Sequence, residues 1–132
     1  MKTQQIKEIL NKRKALDLND DFGVQECWTQ LTNILTEDIN STISFILKEC
    51  TDGEFFWLSE VFEEVARTTK SVDFVSAITK RIEAVHASSY NQKQFDDAFI
   101  RDNIDYDTYI SSIRTEIEYA EGAIQDNLTS PT

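Results

Sequence analysis

The sequence predicts an all-α fold, a single irregular bundle of six to seven helices over residues 1–132. Three observations carry this. Glycine and proline are scarce, with Gly23, Gly53, Gly122 and Pro131 the only ones, and neither occurs between Gly53 and Gly122. That long interval leaves no place for the primed turns of β-hairpins. Apolar residues recur at helical spacing from end to end. The composition, 40% hydrophobic and 28% charged, suits a chain of 132 residues with one ordinary core.

The first predicted helix, 3–16, aligns Ile6, Ile9, Leu10 and Leu16 and forms a basic N-terminal helix. A polar link, 17–23, follows. The segment 24–35 aligns Val24, Cys27, Leu31, Ile34 and Leu35. Thr36 reads as the N-cap of a helix over 37–50, with Glu37 and Asp38 in its first turn and Ile39, Ile43, Ile46 and Leu47 facing inward. Asp52 then caps a helix over 54–69. There Phe55, Leu58, Phe62 and Val65 form a buried seam, widened by Val61 and Ala66. Ser71 caps the next helix, 71–86, whose stripe is Phe74, Val75, Ile78, Ile82 and Val85. After a link at 86–91, two closing helices are expected over 92–103 and 106–127. Gly122 weakens the second by about 1 kcal/mol relative to alanine. Residues 128–132 read as a frayed tail. The short joints favour antiparallel pairs. Such pairs are also the unit of α-solenoids, but the sequence shows no residue-level repeat.

Net charge is −11. Residues 1–16 carry a balance of +4 and residues 17–132 a balance of −15. A body this acidic repels phosphate backbones and anionic lipid, which disfavours nucleic acid and membrane surfaces as partners; it suits a basic protein, or serves solubility alone, which composition by itself favours. No apolar run approaches the ~18 residues of a membrane span. The first sixteen residues lack the apolar block of a secretory signal, so a cytoplasmic location is expected.

No metal or cofactor site emerges. The cysteines, Cys27 and Cys50, both fall on apolar stretches and read as reduced core residues, and His86 is the only histidine. There is no Gly-rich phosphate loop and no nucleophile elbow. Glu60, Glu63 and Glu64 are spaced as a helical carboxylate cluster, but the Glu-x-x-His motifs of di-metal bundles are absent. Glu63 and Arg67 suit an i, i+4 pair on a solvated face. The chain therefore reads as a non-enzyme, with the three glutamates on the wet back of a core helix. Trp57 lies off the main seam and is expected in the core.

The stretch 95–109 is the most distinctive in composition. Asp96, Asp97, Asp102, Asp105 and Asp107 alternate with Phe95, Phe99, Tyr106 and Tyr109. Read as an EF-hand from Asn103, it has Thr108 where the loop needs glycine and Arg114 where it needs glutamate. Two readings stand. In one, the aspartates cap the following helix while the aromatics pack inward. In the other, acids and tyrosines form a protein-binding edge. The candidate partner-binding residues are Asp96, Asp97, Asp102, Asp105, Tyr106, Asp107 and Tyr109, with Glu60, Glu63 and Glu64 second.

Residues 54–85 resemble the small helical bacterial immunity proteins of polymorphic and contact-dependent toxin systems. The resemblance is carried by Trp57-Leu58-Ser59-Glu60-Val61-Phe62, then Thr69, Ser71 and Phe74. It implies a cytosolic, non-catalytic protein that binds and occludes one cognate toxin; the acidic body suits that role, because nuclease toxins are commonly basic. The alternative is a helical adaptor or regulatory subunit of another basic protein.

Overall fold

A computed structural model describes residues 2–16, 19–90 and 104–129. Every element among the described residues is helical. They are α1 (Thr3–Ala15), α2 (Asp21–Glu37), α3 (Ile39–Lys48), α4 (Asp52–Leu58), a 3-10 turn (Ser59–Val61), α5 (Phe62–Thr69), α6 (Val72–Glu83) and α7 (Tyr106–Thr129). The helix expected over 92–103 lies outside the described residues.

Helix starts are set by side chains competing for the first free N–H groups. Asp20 accepts from Gly23 N–H, so α2 begins three residues before the expected Val24. Asp38 displaces Thr36 as the cap of α3, accepting from the Ser41 N–H and hydroxyl. The Thr36 hydroxyl instead donates back to the Thr32 carbonyl at 2.8 Å within α2. Thr51, not Asp52, caps α4, and Glu54 returns a bond to the Thr51 N–H to close a capping box. Ser71 caps α6 as expected. The last helix runs to Thr129, past the expected start of the frayed tail.

The helix expected without a break over 54–69 is interrupted. Ser59 donates its hydroxyl to the Phe56 carbonyl at 2.5 Å, and the backbone tightens through Ser59–Val61. Hydroxyls that bond back into the preceding turn bend helices in this way. The seam survives the break: Phe55, Leu58, Phe62 and Val65 are all buried, and Ser59 and Val61 join them.

The two strongest packings, α7 on α5 and α3 on α6, skip intervening elements, as in a bundle. α7 lies along α5 and α6, α3 packs on α6, and α1 packs on α2 and α4. A single core cluster results, running from Ile6 and Leu10 through Leu31, Phe45, Phe62 and Phe74 to Ile113 and Ile124. In α3 the inward residues are Thr42, Phe45 and Ile46, whereas Leu47 is exposed. Thr42 is tolerated there because its hydroxyl donates to the Leu35 carbonyl at 2.7 Å, one of the unpaired acceptors at the end of α2. Trp57 is buried, and Cys27 and Cys50 are buried free thiols. Burial pushes both thiols above their ordinary range.

The basic N-terminal helix lies on the acidic body. Lys2 pairs with Glu37, Lys7 with Glu54 and Arg13 with Glu60. No helix among the described residues is long and apolar enough to cross a membrane.

Candidate functional site

The two sequence-predicted regions come out differently. Around Glu60 the 3-10 turn directs the carboxylate between α1 and α2. Arg13 Nε and Nη2 donate to Glu60 Oε1 and Oε2, both at 2.8 Å, and Trp28 Nε1 donates to Oε1 at 3.1 Å. Arg13 is 4% exposed, and its guanidinium lies 5.1 Å from the centre of the Trp57 ring. Glu60 is therefore no part of a wet back. A guanidinium buried on the α1 face needs a fixed anion, and Glu60, within the 3-10 turn, supplies it.

Glu63 and Glu64 follow the expectation more closely. Glu64 is exposed and Glu63 half-buried, and both pair with Arg67, at 2.6 Å from Glu64 and 3.4 Å from Glu63. Glu116 of α7 faces the same neighbourhood. Burial first, then repulsion from Glu60 and Glu63, pushes its pKa up.

Beside this node is a cleft of about 260 Å³ between α2, the 3-10 turn and α5. Gln25, Trp28, Thr29 and Asn33 line one side, Glu60 and Glu64 the other. Two of its carboxylates thus do share a concave surface, which the solvated-face expectation did not foresee. Among the described residues, no group of three or more His, Cys, Asp or Glu is placed to hold a metal ion.

At the other region, Asp96, Asp97 and Asp102 lie outside the described residues. Asp105 is the cap of α7. It accepts from the Thr108 N–H at 2.8 Å, and this bond holds its carboxyl below the usual range. Asp107 is exposed in the first turn. The two tyrosines turn inward. Tyr109 has no exposed surface, donates to the Asp52 carbonyl at 2.7 Å and stacks on Phe56. Burial raises its hydroxyl pKa far above the ordinary value. Tyr106 is half-buried and donates to the Val85 carbonyl at 3.1 Å. Tyr90 packs on both rings and donates to the Ile104 carbonyl at 2.7 Å. Tyr109 as a partner contact is thereby corrected: its ring and hydroxyl serve the junction of α4, α7 and the segment after α6. The acids at 105 and 107 keep the outside.

Sequence reading missed Arg13 and Trp28. For Arg13 a signal was available: Ile6, Leu10 and Arg13 fall at i, i+4 and i+7, on one face of α1. For Trp28, one residue from the buried Cys27, nothing local distinguishes an anchor from a core ring.

Compared with protein-family models, curated proteins and solved structures, the chain matches none.

Proposed function

We propose that this chain is a non-catalytic module that binds a basic protein, and specifically an immunity protein that occludes a cognate bacterial toxin in the cytoplasm. One observation carries it: the most enclosed cations, Arg13 and Arg81, are engaged within the fold while a surplus of acid faces outward. Arg13 and Arg81 are held by Glu60 and Asp52, and Lys2 and Lys7 by Glu37 and Glu54. Glu26, Glu49, Asp73, Glu83, Asp107, Glu118 and Glu121 are exposed. With a net charge of −11, the outer field is strongly negative and attracts a cationic surface from a distance. The carboxylates that sequence spacing singles out as catalytic candidates are engaged by Arg13, Trp28 and Arg67, which favours grip over chemistry. The resemblance of residues 54–85 supplies the toxin as the class of partner.

The test is whether a toxin domain is encoded beside this gene and, if so, whether the chain associates with it. A stoichiometric complex is expected on size-exclusion chromatography, with loss of toxin activity. The association rate should fall steeply as salt rises. Asp107→Lys, which spares the Asp105 cap, should slow association at low salt. No complex and undiminished toxin activity would overturn the immunity assignment. A complex with a different basic protein would favour an adaptor or regulatory subunit.

A further inference from the structure

We propose that the cleft between α2 and the Ser59–Val61 turn receives an arginine side chain of the bound protein. Charge sets the sign of the occupant. The residues that line the cleft include two carboxylates, Glu60 and Glu64, and no lysine or arginine; Arg13 and Arg67 pair with these acids from outside the lining. Glu63 and Glu116 lie close to Glu60 and add to the negative potential at the cleft. The cleft walls on α2 add no cation, because Asp21–Glu37 contains neither lysine nor arginine.

Size sets the kind of occupant. About 260 Å³ is below the roughly 300–1,000 Å³ of pockets that hold drug-sized molecules, and it suits one long side chain. Hydrogen-bond capacity narrows it further. An ionised carboxylate accepts about four bonds, and Glu60 already takes three, from Arg13 Nε, Arg13 Nη2 and Trp28 Nε1. One acceptor site remains. Glu64 is exposed, and its pair with Arg67 is a surface pair that exchanges at little cost. The Asn33 and Gln25 amides offer further acceptors. Trp28 is fixed by its bond to Glu60, so the cleft has a pre-set aromatic wall. A planar, weakly hydrated guanidinium with five donors matches acceptors spread around an indole better than an ammonium does. The α2 wall of the cleft, with exposed Gln25, Thr29 and Asn33, is uncharged and polar, and the exposed acid Glu26 stands beside it in sequence.

This inference rests on the protein-binding reading above, and its test separates the two. The isotope-labelled full chain is titrated with N-acetyl-arginine methylamide, with the lysine counterpart and with sodium chloride at matched ionic strength. Saturable shifts are expected at the Trp28 indole N–H and at the Thr29 and Asn33 amides, tighter for arginine than for lysine. Thr29→Lys places the protein's own ammonium at the cleft. Thr29 is exposed, and lysine is the better helix former, so the fold persists. Arginine affinity in that variant should drop about tenfold. Shifts that never saturate, that spread evenly over all exposed acids, or that are unchanged in Thr29→Lys would overturn the proposal. With the toxin domain, equal binding by wild type and Thr29→Lys would also overturn it while leaving the acidic module intact. Saturable arginine binding without any protein complex would instead remove the module and leave the cleft.

Discussion

The Glu60 node and the Tyr109 corner both mix acids with aromatics, yet they divide them in opposite ways. At the corner the aromatics go in and the acids stay out: Tyr109 is fully buried while Asp105 and Asp107 are exposed. At the node one acid goes in with the aromatics. Glu60 sits against Trp28 and a buried Arg13 that itself lies over Trp57. The difference comes from where the compensating group resides. Tyr109 needs one acceptor, and the Asp52 carbonyl at the start of α4 provides it. Arg13 needs a whole counter-charge, and only a side chain can supply that. An aromatic–acid mixture therefore does not identify an interface until the partner of each polar atom is known.

The sharpest way to break this comparison is to remove the counter-charge. Glu60→Ala leaves Arg13 buried and unpaired, and should cost about 2–3 kcal/mol in urea unfolding. This is less than for a fully buried pair, because the Glu60 side chain remains 24% exposed. The double variant Arg13→Met, Glu60→Leu should recover much of the loss, since apolar replacements remove the need for a counter-charge. If Glu60→Ala is neutral, the node is a surface pair like Glu64–Arg67 and the contrast with the corner disappears.

The corner predicts a smaller loss. Tyr109→Phe keeps the ring against Phe56 and removes only the bond to the Asp52 carbonyl, for about 1–2 kcal/mol. Asp107→Asn, two residues earlier and exposed, removes only a first-turn charge and should cost about 0.5 kcal/mol. Equal effects from the two substitutions would mean that the tyrosine is not the inward member of the pair.

How far these regions were legible depends on the range of the information. The seam of Phe55, Leu58, Phe62 and Val65 could be read because periodicity is local, and the Ser71 cap because its donor is three residues away. Thr36 against Asp38 was a contest between neighbours, decided by the Ser41 hydroxyl and N–H that Asp38 reaches. The 3-10 turn was not legible, since a serine in a helix announces a bend only once its hydroxyl is seen to bond backwards. The Glu60 partnership spans 47 positions to Arg13 and 32 to Trp28, beyond any local pattern. An arginine in line with Ile6 and Leu10 was the one hint that a buried anion had to exist somewhere.

Glu116 offers the finest probe, because it feels the node without belonging to it. Its pKa is raised by burial and by the charges of Glu60 and Glu63. A carboxyl raised in the folded state favours folding in its protonated form. That contribution is complete below the ordinary glutamate value of 4.5 and is lost as pH rises through the higher folded-state value. Glu116→Gln, neutral throughout, should therefore melt higher than wild type at pH 7 and show no charge-related advantage at pH 3.5. The advantage should open between those limits and then stay flat. In the Glu60→Ala background one repelling charge is gone, so the gap should narrow. A gap of the same size with and without Glu60 would show that burial and Glu63 raise Glu116, and that the charge of Glu60 does not reach α7.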